Sequence, residues 1–435
     1  MHRAFKSIKF PTKSFLTLLS IILVFYCSSF FGQYITFFLF DLILSIHLFS
    51  LFKNKWSFLF LLHPVIVFVI SLGFEIRFEE IGVGWTYINT YDFFMNPSDN
   101  IHNISDNFLL IGLQSTYIGV IPFLWLPNFI FSTGLGALTY FYSFSLWNLF
   151  CAISFVKVSQ SINSISNKFL FLLALFFVLS PMSLEINNSI HRYHLLILGI
   201  LLFFVSWVNL NKENPGKKYL SFLVLIVSVI LIAISKLVLL ISMLIFIFLD
   251  FFIKKNIELF KKLSSGILYI MFFAILLSIY IIGFDVLPEQ YLYSDFVKGP
   301  INIFTQAPVI GYFARILYST LSPFPFLSFD QWDLYGGNEM FLIIHFFSCI
   351  IVLWLIISVF VNLKKLLLLK YEYRIGVLMI LAITLSLSFS AVGHNVYLSP
   401  AIPFLSIIWI NKKYLCNIFY PLGIIIFAEI VLFIT

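Results

Sequence analysis

Charge is scarce in this chain. Only 10% of its 435 residues are Asp, Glu, Lys or Arg, against about 25% in an ordinary soluble domain. A water-facing surface cannot be assembled from that inventory. Catalytic signatures are missing as well: there is no Walker lysine loop, no Gly-x-Ser-x-Gly, no His-Glu-x-x-His and no Rossmann fingerprint. These absences argue against an enzyme that uses ATP or a nucleotide sugar, and no cofactor is expected. The four cysteines, Cys27, Cys151, Cys349 and Cys416, stand apart without metal-ligand spacing. They read as small buried hydrophobes. Long repeats and matching broken helices are lacking too, so the inverted-repeat signature of many transporters is not evident.

What is present suits hydrocarbon. The chain is 61% hydrophobic and 20% aromatic. Apolar runs such as Ile21–Phe31, Phe58–Phe74, Leu220–Ile234 and Ile267–Gly283 reach or approach the roughly 20 residues of a spanning helix. None alternates as a barrel strand must. The expected fold is all-α: a polytopic integral membrane protein of roughly 12–14 transmembrane helices, one transmembrane domain over residues 1–435 with a large external loop. The net charge of +7 fits Lys and Arg gathered in cytoplasmic loops. No nucleic-acid module is visible, so nucleic acid is not an expected partner, whereas membrane lipid is. Arg3, Lys6, Lys9 and Lys13 place the N-terminus in the cytoplasm. The apolar run that follows has no small-residue cleavage site and reads as a retained first span.

Orientation then sorts the remaining segments. The acidic stretch 75–107 falls outside. Phe108–Leu126, with Gln114, Ser115, Thr116 and Pro122, reads as re-entrant backbone lining a cavity. That choice brings every later lysine cluster to the cytoplasmic side. Crossings follow at Arg192–Asn209, Tyr219–Ala233, Leu237–Phe252, Glu339–Val361, Arg374–Ala391 and Leu415–Ile434, the last running outward. Lys236 falls at the outer end of a hairpin, as a snorkelling interfacial lysine. The longest polar interval, 285–338, lies outside.

Three outer arginines are not explained by orientation. Arg77 reads as an ion pair with Glu79 or Glu80. Arg192, between His191, Tyr193 and His194, and Arg315, ahead of a Leu-Ser-Pro-Phe-Pro-Phe turn, are the candidates for chemistry. A guanidinium fork grips phosphate bidentately and stays charged, so two of them at one face suit a lipid diphosphate head group. Headgroup anchoring is the other reading. His191 and His394 are candidate proton acceptors, and His-x-x-His alone is a weak zinc signal, so no metal is expected. Asp330, Trp332 and Asp333 mix carboxylate and aromatic groups in a way that suits a sugar, although such aromatics also form interfacial belts. Asp92 is a second carboxylate option.

Three local features carry a resemblance: Ser-Ile-His-Arg-Tyr-His at 189–194, Arg-x5-Leu-Ser-Pro-Phe-Pro-Phe at 315–326, and the late turn from His394 to Pro403. With these and its many spans, the chain resembles bacterial polysaccharide polymerases of the O-antigen polymerase type and related exopolysaccharide membrane proteins. The resemblance implies a bacterial inner-membrane enzyme that joins lipid-linked repeat units on the outer face. Its external arginines, here Arg192 and Arg315, would engage an undecaprenyl-diphosphate-linked glycan. It also implies a chain-length regulator protein as a partner. On this expectation Arg315, Arg192, His191, His394 and Asp330 are catalytic, and His194, Asp333, Trp332, Tyr193 and Asp92 bind substrate. A lipid-linked-sugar glycosyltransferase and a polysaccharide flippase are the alternatives.

Overall fold

The computed structural model describes residues 193–211, 218–235, 238–262, 339–387 and 412–434, with isolated positions between 19 and 65 and at 266, 398, 400, 401, 404, 405 and 408. Every regular element among these residues is helical, and no strand occurs among them. The long helices are α1 (Tyr193–Asn211), α2 (Lys218–Ser235), α3 (Val238–Lys255), α5 (Glu339–Val361), α7 (Tyr371–Ser386) and α8 (Phe419–Ile434). Two short helices, α4 (Ile257–Lys262) and α6 (Leu363–Leu367), follow α3 and α5, and a 3-10 turn covers Lys412–Tyr414. The acidic stretch 75–107, the segment 108–126, Lys236 and the interval 285–338 lie outside the described residues.

Three boundaries show how local chemistry sets these helices. α5 spans Glu339–Val361, the apolar run as read from sequence. α7 begins at Tyr371 rather than Arg374, because the Lys370 carbonyl accepts the Tyr373 and Arg374 amides, each at 3.0 Å. The last helix begins at Phe419, four residues later than the apolar run that opens at Leu415. There Asn417 turns the chain: its side-chain oxygen accepts the Phe419 amide at 3.2 Å and its carbonyl accepts Tyr420 at 3.1 Å. Pro421 then sits in the first turn, where a missing N–H costs nothing.

α2 is built inside out. Its buried residues are Ser221, Ser228, Ile232 and Ser235, three serines at seven-residue spacing on one face. Its exposed residues include Tyr219, Leu220, Phe222, Ile226, Val227 and Ile230. Ser228 and Ser235 donate to their own helix, to the Leu225 and Leu231 carbonyls, each at 2.6 Å, so their hydroxyls need no outside partner. α2 packs most extensively on α1, and Gly199 makes the approach close. A Cβ there would lie 2.9 Å from Ile232 Cγ1 and 3.2 Å from the Ser228 carbonyl oxygen. Among the described residues α2 is the one helix both long and apolar enough to cross a membrane, with 22% of its length buried.

α7 is the opposite case. From Ile375 to Leu387 its side chains are buried on all sides, as expected of a central helix. α3 packs against it. α5 is joined to the segment before α8 by a polar clasp. Trp354 Nε1 donates to the Cys416 carbonyl at 2.8 Å. Asn362 Nδ2 donates to the Tyr414 carbonyl at 2.8 Å. The Cys416 amide donates to Ser358 Oγ at 3.0 Å. Cys416 is therefore half-buried and hydrogen-bonded, not the buried apolar filler expected from its surroundings. Cys349 lies in α5, and Cys27 and Cys151 lie outside the described residues.

One end of these helices collects the cations. Lys254-Lys255 close α3, Lys261-Lys262 close α4, and Lys364-Lys365 lie in α6. Lys218, Lys370, Arg374, Lys412 and Lys413 stand near them, at helix starts or in the 3-10 turn. Among the described residues the opposite helix ends carry no Lys or Arg. α1, α3 and α5 run toward the cationic end, whereas α2, α7 and α8 run away from it. At about 1.5 Å per residue, helices of this length approach the roughly 30 Å of a hydrocarbon layer.

Gly199→Val is expected to destabilise by about 1–3 kcal/mol through overpacking, read as a lower melting temperature of the purified protein. Combined with Ile232→Ala, the loss should be smaller than the two single losses added, because the facing side chain that clashes has gone.

Candidate functional site

α1 and α3 run side by side in the same direction. Trp207 of α1 meets Asp250 of α3, and one turn on Asn211 meets Lys254, both pairs at a separation of 43 residues. The first residue of α7 closes the group. Asp250 Oδ2 thus receives Trp207 Nε1 at 2.8 Å, Lys254 Nζ at 2.9 Å and the Tyr371 hydroxyl at 3.3 Å. The Asp250 side chain is 1% exposed and Lys254 is 34% exposed.

Each donor is held by its own neighbours. Phe203, one turn before Trp207, stacks on the indole at 6.2 Å between ring centres. Phe246, one turn before Asp250, meets it edge-on at 5.9 Å. Asn211 Nδ2 donates to the Trp207 carbonyl at 2.8 Å, which leaves its side-chain oxygen to accept Lys254 at 2.9 Å. The Tyr371 ring lies under Lys254, 4.6 Å from Nζ to the ring centre, and within 5.4 Å of the Arg374 guanidinium carbon. Among the described residues Asp250 Oδ1 and Arg374 Nε are buried without a hydrogen-bond partner, each a cost of about 1–3 kcal/mol.

The arrangement is a charge joint. A carboxylate in an apolar helix is neutralised by a lysine one turn along, and the two hydroxyl- and indole-bearing neighbours belong to different helices. Sequence reading for outer-face chemistry passes over it. Its signal was present: Asp250 is the lone carboxylate in the run Leu237–Phe252, four residues before Lys254.

Of the residues singled out from sequence, Tyr193 and His194 are the first two of α1. Arg192, His191, Arg315, Asp330, Trp332, Asp333, His394 and Asp92 lie outside the described residues. Among the described residues no three His, Cys, Asp or Glu groups gather to hold a metal ion. Comparison with protein-family models, curated proteins and solved structures returns no match.

Asp250→Ala should cost about 2–3 kcal/mol, short of the roughly 3–5 found for fully buried pairs, because Lys254 can turn to water. A double-mutant cycle with Lys254→Gln, read by thermal unfolding, should be clearly non-additive.

Proposed function

We propose that this is a polytopic membrane protein that polymerises undecaprenyl-diphosphate-linked oligosaccharide units into a bacterial surface polysaccharide, on the outer face of the inner membrane. The reading draws first on α2, whose serines are inside and whose leucines, isoleucines and phenylalanines are outside. That is the pattern of a helix solvated by lipid, where small residues make the helix contacts.

The observation that carries the functional reading is helix direction. α1 begins at Tyr193, directly after Arg192, and α5 begins at Glu339, directly after the interval that contains Arg315. Both run toward the cationic end, which the positive-inside rule assigns to the cytoplasm. The two arginine-bearing stretches therefore precede helices that start at the far face, and this supports a shared outer site. There an acceptor sugar hydroxyl attacks the anomeric carbon of the growing chain and undecaprenyl diphosphate leaves. Arg315 and Arg192 stabilise the departing negative charge. His191, His394 or Asp330 takes the hydroxyl proton. Trp332, Asp333, Tyr193, His194 and Asp92 hold the sugars.

A second reading, a polysaccharide flippase, gains from Asp250, since an ionisable group inside an apolar helix commonly marks a transport path. Deletion of the gene in its host separates the two. Polymerisation predicts surface glycan that carries one repeat unit and no long-chain ladder on a gel. Complete loss of repeat units points instead to the flippase or to a lipid-linked-sugar glycosyltransferase. Arg315→Lys keeps the charge and loses the fork, and it should slow polymerisation about 10²-fold. Full activity in that variant removes the bidentate-phosphate argument.

A further inference from the structure

The cationic end has a repeated local pattern. On α3 the exposed face runs Leu244, Phe248 and Phe251, the last 67% exposed. One turn later comes Lys255, also exposed. On α4, exposed Leu259 precedes exposed Lys262 by three residues. At the α5–α6 junction, exposed Val361 precedes exposed Lys365 by four. Lys370, just before α7, is exposed as well. Lys255, Lys262, Lys365 and Lys370 have no ion pair among the described residues, while Lys261 is paired with Glu258 at 2.6 Å and Lys254 with Asp250 at 2.9 Å.

Residues three and four apart share a helix face. On α3 and α4 a large apolar side chain therefore lies directly beneath an unpaired ammonium, on the outside of the molecule. The occupant that matches both is amphiphilic: an acyl chain against Phe251, Leu259 and Val361, and a phosphate against the lysines. A zwitterionic lipid brings its own ammonium to compete for that phosphate. An anionic one does not, and it also neutralises the four unpaired charges.

We propose that this end is a binding surface for anionic phospholipids, with Lys255, Lys262, Lys365 and Lys370 holding phosphodiester headgroups. The proposal rests on the membrane reading above and is independent of the polymerase reading. Each lysine near an anionic surface favours it by a factor of about five.

The test uses the purified full chain reconstituted in vesicles of phosphatidylcholine alone and of an equimolar mixture with phosphatidylglycerol. Flotation with the phosphatidylcholine vesicles comes first, and a chain that does not float overturns the membrane reading and this proposal with it. Lipids retained after detergent extraction are then counted by native mass spectrometry. Wild type should retain phosphatidylglycerol over phosphatidylcholine by about fivefold or more. The quadruple variant Lys255→Gln, Lys262→Gln, Lys365→Gln, Lys370→Gln should lose that preference, and the matching Lys→Arg variant should keep it. Equal retention of both lipids by floating wild type, or an unchanged preference in the Gln variant, overturns the proposal alone. Displacement of the lipid by soluble glycerol phosphate also overturns it, since that marks a site for free anions.

Discussion

A carboxylate inside an apolar helix must have its charge met, and whatever meets it becomes fixed in place. Asp250 is that group here. Its partners come from α1, from one turn further along α3, and from the first residue of α7. The register of α1 against α3 follows, because Trp207 and Asn211 must arrive opposite Asp250 and Lys254 together. So does the entry of α7, the helix buried on all sides. If α7 slid by a turn, the Tyr371 hydroxyl would leave the carboxylate. Burial of charge is a poor source of net stability. Its effect here is to select one arrangement among apolar surfaces that would otherwise pack in several.

The contact between α1 and α2 rests on the reverse principle. Gly199 faces Ser228, Leu231 and Ile232, and size, not polarity, sets the distance. In lipid there is no hydrophobic drive between helices, so contact area and close approach must supply the attraction. Ser228 and Ser235 donate to the Leu225 and Leu231 carbonyls of their own helix and present small flanks to the neighbour. A soluble bundle of the same helices would need its leucines inward and its serines outward. α2 has the opposite, and the membrane proposal draws on that arrangement.

Helix positions were legible in the sequence to a useful degree. Glu339–Val361 is bounded by polar residues and reads directly. The hairpin of α2 and α3 is marked by Lys236 between two apolar runs. The start of α8 was not legible, because Leu415, Cys416 and Ile418 look like the beginning of a span. Asn417 and Pro421 move the start, and Ser358 and Trp354 hold the preceding backbone by hydrogen bonds to Cys416 that hydropathy does not register. The Asp250 joint was half legible. An acid four residues before a lysine states that a pair can form. That Trp207 and Tyr371 complete it depends on helices far apart in sequence coming together, which no local pattern encodes. For the proposed arginine-centred outer site, residue types and an expected side can be read from sequence, while distances between groups on separate loops are a tertiary property.

The two ends of the helices therefore differ in kind. At the cationic end, lysines and one buried acid tie helix ends to each other and present ammonium groups outward. At the other end α1, α3 and α5 begin with Tyr193-His194, Val238 and Glu339, and Lys and Arg are absent there among the described residues. On the proposed topology the positive-inside rule does not explain an arginine at that face. A cation at a helix start is disfavoured by a few tenths to about 1 kcal/mol, and Arg192 is the residue before Tyr193 in sequence. On the proposed topology an anion nearby would offset both the membrane's charge bias and the helix's own field. In the proposed reading the substrate diphosphate supplies that anion, and a headgroup phosphate is the competing source.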